Sequence, residues 1–390
     1  MSNNLRGKYA IAGVGHSRLG KVPEMGPIGM FAVAAQNAIA DAGLTKEDVD
    51  GLITRGPDDV YCHHQRVGAA LGLNVTYSTS TDNGGASQVL GVAMACMAID
   101  AGLCNTVIVG FGRDTWSRTH RDETARKRVN IGIQNQGEFG PEFGWFGAPS
   151  NYAVSARRHM KLYGTTKEQL GHIAVAFRGH ASRNPNAFLQ KPLTIEEYLN
   201  ARMIVDPLCL YDCSIYIDGA AAVVVTSAER ARDLKQPPAH VMGFGFGNRL
   251  SGWFEESNML TTGAKEAGEA AYRMAGIGPG DVDTAQLYDC FTQMVLLQLE
   301  DYGFCKKGEG GPFAGSGALL LDGAMPTNTS GGQLSEGHTE GMLQIVEGVR
   351  QIRHEHGPDR QVKDAEVALV SGHGGNTACQ SAMILAREAS

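Results

Sequence analysis

The stretch "AGLTKEDVDGLI" (residues 42–53) is met again as "AGIGPGDVDTAQL" (275–287). Each copy follows a run with helical spacing, "FAVAAQNAIAD" before the first and "EAGEAAYRM" before the second. In both an Ala-Gly pair stops the helix, as a glycine in the left-handed conformation does, and Asp-Val-Asp leads into an apolar strand. Working outward, "DNGGASQVLGVAMACMAIDAG" (82–102) is answered by "TSGGQLSEGHTEGMLQIVEGV" (329–349), and "CNTVIVGFG" (104–112) by "AEVALVSGHGG" (365–375). Three matches in one order describe a duplication: two β-α-β-α-β halves, opened by "KYAIAGVG" (8–15) and "AHVMGFGFG" (239–247). Strands alternating with helices predict an α/β fold with a mainly parallel sheet.

The N-terminal half is expected at 1–112 and 217–234, where "IDGAAAVVVTSAERARDL" closes it, and the C-terminal half at 235–390. The segment 113–216, rich in Trp, Arg, His and Tyr and without a repeat, reads as an insertion that shapes the substrate site.

A chain of 390 residues with 43% apolar and 19% charged residues and a formal charge of −7 is globular, with no basic field for nucleic acid. No apolar run reaches the roughly 18 residues of a membrane span, and "MSNNLRGKYAIAGVG" lacks the pattern of a secretory signal. A cytoplasmic protein is expected, with no nucleic acid and no membrane as partner. The eight cysteines are scattered and read as reduced thiols, and the close pair Cys209 and Cys213 does not make a metal site.

Five segments together resemble the thiolase superfamily, especially its sterol-carrier-protein and lipid-transfer branch. They are the Gly-Gly turn at 83–87, "DGAAAVVV" (218–225), "YDCFT" (288–292), "NTSGGQLSEGHTEG" (328–341) and "SGHGG" (371–375). The resemblance spans nearly the whole chain and implies a five-layer αβαβα fold built from the duplicated halves, with an inserted loop domain. It also sets the departures in view. Asn83 falls where a thiolase carries its acyl-accepting cysteine, and a carboxamide forms no thioester. Ser371 falls where a second cysteine serves as acid and base, and a hydroxyl of ordinary pKa replaces a thiol poorly. Tyr288 stands in place of His or Asn, while His338 is kept.

The resemblance then points to the aldolases of this superfamily, which shorten CoA-linked side chains such as those of steroids. A retro-aldol cut of a β-hydroxyacyl-CoA, giving a ketone or aldehyde and a shorter acyl-CoA, needs no covalent intermediate. It needs a base for the hydroxyl and donors for the enolate oxygen. Tyr288 is the candidate base, through a phenol pKa pulled down by neighbouring donors, and His338 the donor or proton-returning group, the division between them left open. Gly84 and Gly85 can offer backbone N–H groups at a helix start. Asn83, Ser371 and His373 are candidates for the pocket wall, His373 equally for a turn-holding role. Asp289 orients a neighbour or, the simpler reading, caps the helix opening at "FTQMV"; Cys290 reads as a core thiol, and Tyr211 and Tyr216 as pocket neighbours without a role. "RKRVN" (126–130) and "SARRHMK" (155–161) are phosphate partners or solvated helix faces.

No tightly bound cofactor and no metal are expected; CoA enters as part of the substrate. The resemblance also implies a homodimer formed near "VTYSTST" (75–81) and a small OB-fold and zinc-ribbon partner protein. Two other functions stay open: a thiolase using free CoA and a different cysteine, and a non-catalytic subunit that holds an acyl-CoA or lipid.

Overall fold

The computed structural model describes residues 5–56, 61–121, 144–145, 147–248, 259–375 and 379–389. The first half runs β1 (Tyr9–His16), α1 (Pro27–Ala42), β2 (Gly51–Arg55), α2 (His63–Leu71), β3 (Tyr77–Thr81), α3 (Ser87–Asp100) and β4 (Thr106–Asp114). The intervening segment carries α4 (Thr115–Arg121), α5 (Ala148–Tyr163), α6 (Lys167–Ala181), α7 (Ile195–Leu199) and a short hairpin, β5 (Met203–Val205) with β6 (Leu208–Cys209). The chain then returns through β7 (Asp218–Ser227) and α8 (Ala228–Ala231). The second half follows as β8 (Ala239–Asn248), α9 (Ala264–Ala275), β9 (Thr284–Gln286), α10 (Thr292–Asp301), α11 (Gly310–Gly315), α12 (Gly332–Ser335), α13 (Met342–Ile352), β10 (Val367–Gly374) and β11 (Cys379–Ala386).

The repeated Ala-Gly stops are left-handed caps: Gly43 has φ 74° after α1 and Gly276 has φ 72° after α9. Each returns N–H groups to the last helical carbonyls and turns the chain toward its strand. Among the described residues, nine strands form one continuous sheet in the order β3-β2-β4-β7-β1-β8-β11-β10-β9. The two halves meet in it through a two-residue contact, Ala10 with His240 and Ile11 with Ala239.

The sheet is mixed, which corrects the expectation of a mainly parallel one. β2 pairs in parallel with β3 and β4, and β9 with β10, but β7 runs antiparallel between β4 and β1, and β11 antiparallel between β10 and β8. In the second half β11 follows β10 with no helix between them and so runs back along it, whereas β7 comes back antiparallel to β4 only after the helices α4 to α7 of the intervening segment. β11 pairs with β10 along its whole length, from Val367 with Ala386 to Gly374 with Cys379.

Layering follows from strand alternation. On β7, Ala220, Ala222 and Val224 pack under α1 and α2, while Ala221, Val223 and Val225 face the other way. That second face meets α3 and α13, which also touch β10 and β11 of the other half. β11 repeats the arrangement: Met383 and Leu385 face the central helices, and Ala382 and Ile384 face α9, α10 and the inserted α5 and α6. Helix, sheet, helix pair, sheet and helix give the five layers. In the second half the long helix that follows Gly84-Gly85 in the first has a broken counterpart after Gly331-Gly332. Only α12 forms there, and the counterpart of α3 begins at Met342, leaving His338 in the loop between.

Candidate active site

The segment after β9 leaves the sheet ladder, and buried side chains hold it residue by residue. Asn328 accepts the Leu287 N–H (2.6 Å) and donates to its carbonyl (2.9 Å). The Ser371 hydroxyl accepts the Tyr288 N–H (2.8 Å) and donates to Gln298 Oε1 (2.5 Å), while Gln298 Nε2 donates to the Tyr288 carbonyl (2.8 Å). Asp289 accepts the N–H groups of Gln333 and Leu334 and the amide of Gln344. It therefore caps α12 and not α10, a correction to the sequence reading; burial pushes its carboxyl up to about 6 in spite of these donors.

So placed, the Tyr288 ring lies directly on Gly85. A Cβ at that position would stand 2.1–2.3 Å from Cε2, Cζ and Oη of the ring. The Tyr288 hydroxyl reaches His338 Nε2 at 3.1 Å, and His338 Nδ1 lies 3.3 Å from the Ser214 hydroxyl. His338 reaches this point through a glycine-flanked loop in which Gly337, Glu340 and Gly341 have φ of 158°, 53° and 91°. Burial lowers His338 well below the usual imidazole range, and the charges of Arg113 and Arg55 lower it further. Burial raises Tyr288 well above the usual phenol range, with Glu340 adding to it. Both groups rest neutral. This corrects the expectation of a depressed phenol pKa: the arginines pull in that direction, but the loss of water outweighs them.

Together these residues line a cavity of about 440 Å³. Gly84, Gly85 and His373 are on its wall, as the sequence suggested, and so is Tyr216. Asn83 and Ser371 are not. The Asn83 amide is turned toward Cys379 Sγ (3.7 Å), and Ser371 lies one step below the cavity, positioning Tyr288. Tyr211 sits under the Arg178 guanidinium. Cys290 and Cys213 reach the wall, but burial raises both thiols, Cys213 to about 12, so neither is a ready nucleophile. Cys96, nine residues into α3, is buried and pushed up to about 12. Of the basic runs, 126–130 lies outside the described residues, and within 155–161 Arg157 pairs with Asp206 on the surface.

Sequence reasoning missed four contributors. Tyr152 on α5 and Ser214 beyond β6 come from the unrepeated segment, where no internal echo marks them. Arg55 and Arg113 flank Glu340, at 3.1 and 3.3 Å, and Glu340 is itself on the cavity wall. Their signal was available, since each stands at the carboxyl end of a strand, β2 or β4, the end where α/β sheets place ligands.

Comparison with known proteins identifies the family. Residues 248–387 match the thiolase C-terminal domain-like family. A steroid side-chain-cleaving aldolase of Thermomonospora curvata is 38% identical, over 90% of this chain and 91% of the relative. A 17-hydroxy-3-oxo-4-pregnene-20-carboxyl-CoA lyase of Mycobacterium tuberculosis is also 38% identical, over 90% of this chain and 92% of its own. Among solved structures an Ltp2-ChsH2(DUF35) aldolase superposes with a TM-score of 0.86 and 35% identity, covering 98% of both chains. The chain thus belongs to the thiolase superfamily, in the branch that holds the steroid side-chain-cleaving aldolases.

Proposed function

We propose that this chain cleaves the Cα–Cβ bond of a β-hydroxyacyl-CoA by a retro-aldol reaction, releasing a ketone or aldehyde and a shorter acyl-CoA. The observation that carries the reading is the neutral pair Tyr288 and His338, 3.1 Å apart, with the Tyr288 ring set on Gly85. With Nδ1–H turned to Ser214, His338 presents its Nε2 lone pair to the phenol. The substrate hydroxyl gives its proton to Tyr288 Oη as Tyr288 passes its own to His338. The Cα–Cβ electron pair moves onto the thioester as an enolate, and the carbonyl compound departs. The imidazolium left behind lies near the Glu340 carboxylate and the enolate, and its proton returns through Tyr288 to Cα. Protons balance over the cycle, and a phenol too basic to ionise alone acts because a base stands behind it.

No tightly bound cofactor is required by these steps; CoA is the substrate's handle. The relatives act on steroid side chains, and the apolar walls at Ile204, Phe291 and Ala148 suit a bulky ketone, so a steroid CoA thioester is the substrate class we take. A homodimer, and an OB-fold partner of the DUF35 kind that the structural relative is paired with by name, complete the proposal.

The test is to co-produce the chain with such a partner and supply a 17-hydroxy-pregnene-20-carboxyl-CoA without free CoA. Mass spectrometry should show a 17-ketone and propanoyl-CoA. Cleavage only when free CoA is added means thiolysis instead, and binding without cleavage means a holding subunit.

A further inference from the structure

The cavity has a second polar arm that the acid–base pair does not use. Gln380 on β11 donates from Nε2 to His373 Nδ1 at 2.5 Å, which places the ring proton on Nε2, 2.5 Å from the Tyr152 hydroxyl oxygen. His373 is buried, and burial holds it down at about 3, so it stays a neutral, fixed donor. The Tyr152 oxygen receives that N–H. Cys290 shares the cavity wall with it, and its thiol, a weak acceptor, is the hydrogen-bond neighbour left for the Tyr152 O–H. The ring is held in place by stacking on Phe291, 4.4 Å between centroids, and by an edge contact with His373. His373 in turn meets the Tyr288 ring edge-on at 5.6 Å, so the two arms converge on one cavity.

We infer that Tyr152 is the donor that holds the thioester oxygen of the substrate while the Cα–Cβ bond breaks. The inference rests on the retro-aldol reading above. An enolate gathers its charge on that oxygen, and a donor held at the cavity wall by its neighbours stabilises it. A thioester oxygen is a better acceptor than a thiol and displaces Cys290 from the Tyr152 O–H. The hydrogen bond from His373 polarises the phenol and strengthens it as a donor. His373 and Gln380 are positioning residues in this scheme; they set the direction of the phenol's proton.

The experiment compares binding of propanoyl-CoA with that of S-propyl-CoA, in which a methylene replaces the carbonyl, by calorimetry on the full chain and on Tyr152→Phe. The wild type should prefer the thioester by about 10-fold, the scale of one hydrogen bond to a buried oxygen. Tyr152→Phe should lose that preference and keep its affinity for S-propyl-CoA. Where cleavage is measured, its kcat should fall by about 10²-fold with KM little changed. Phenylalanine keeps the stack on Phe291, so an unchanged melting temperature certifies the fold. Equal affinity of the wild type for both ligands, or a preference kept by Tyr152→Phe, overturns the inference while leaving any observed cleavage in place. A preference that the variant loses, in a protein that cleaves no β-hydroxyacyl-CoA, keeps the donor and removes the retro-aldol reading.

Discussion

At the scale of single residues, the proposed chemistry depends on two neutral groups sharing one hydrogen bond. Tyr288→Phe keeps the ring on Gly85 and removes only the relay oxygen, so kcat should fall by about 10²–10⁴-fold with the fold intact. The pH profile gives a second check. In the proposed reaction His338 works as a neutral base, the form present above its own pKa, and that pKa is held below the ordinary imidazole value. The acid limb of kcat should therefore lie below about pH 6.5. Arg113→Met removes one of the charges that lower it, so the limb should move to higher pH; an unmoved limb would show that His338 does not titrate in turnover. The pair was legible from sequence because both residues lie in segments with a family pattern, "YDCFT" and "SEGHTEG". Their protonation states were not, since desolvation depends on what packs around a ring and not on its chain neighbours.

Among the elements, the close approach of two turns defines the site. Gly374 packs so tightly on the Asn83 carbonyl that a Cβ would stand 2.0 Å from it, and Gly85 is covered by Tyr288. Gly85→Ala should displace the phenol, lowering both turnover and the melting temperature. Adding Tyr288→Ala should restore part of the stability, because the added methyl then has space. A double-mutant cycle with no coupling would refute the contact. The glycines were visible in sequence as helix openers, but their partners were not. Ser371 shows the same limit: its place in the "SGHGG" turn was readable, yet only the packing of β10 against α10 reveals that its hydroxyl grips the backbone of Tyr288. Tyr152 had no sequence signal at all, being carried by a helix outside both repeats.

For the molecule as a whole, the duplication was legible because its punctuation is local: left-handed glycine caps and acidic turns recur at matching places. The antiparallel returns of β7 and β11 were not, since strand direction depends on which neighbour a strand joins. That joining leaves β3 at an open edge. The Tyr77 N–H points inward to Asp50, so by alternation the N–H groups of Ser78 and Ser80 point outward. Ser78→Pro removes one such donor without touching the bond to β2. If the homodimer forms through this edge, light scattering should find the variant monomeric where the wild type is dimeric; a dimeric variant places the contact elsewhere.

The far edge of the sheet differs. β9 is three residues long, and its outer side is already sealed by the chain at Pro326–Asn328, which exchanges hydrogen bonds with Ala285. One duplicated half thus keeps a sticky border that the other has closed over. An assembly that grows border to border halts once two copies have spent theirs, so the asymmetry between near-twin halves imposes a ceiling on growth and withholds the template from which a fibre could extend.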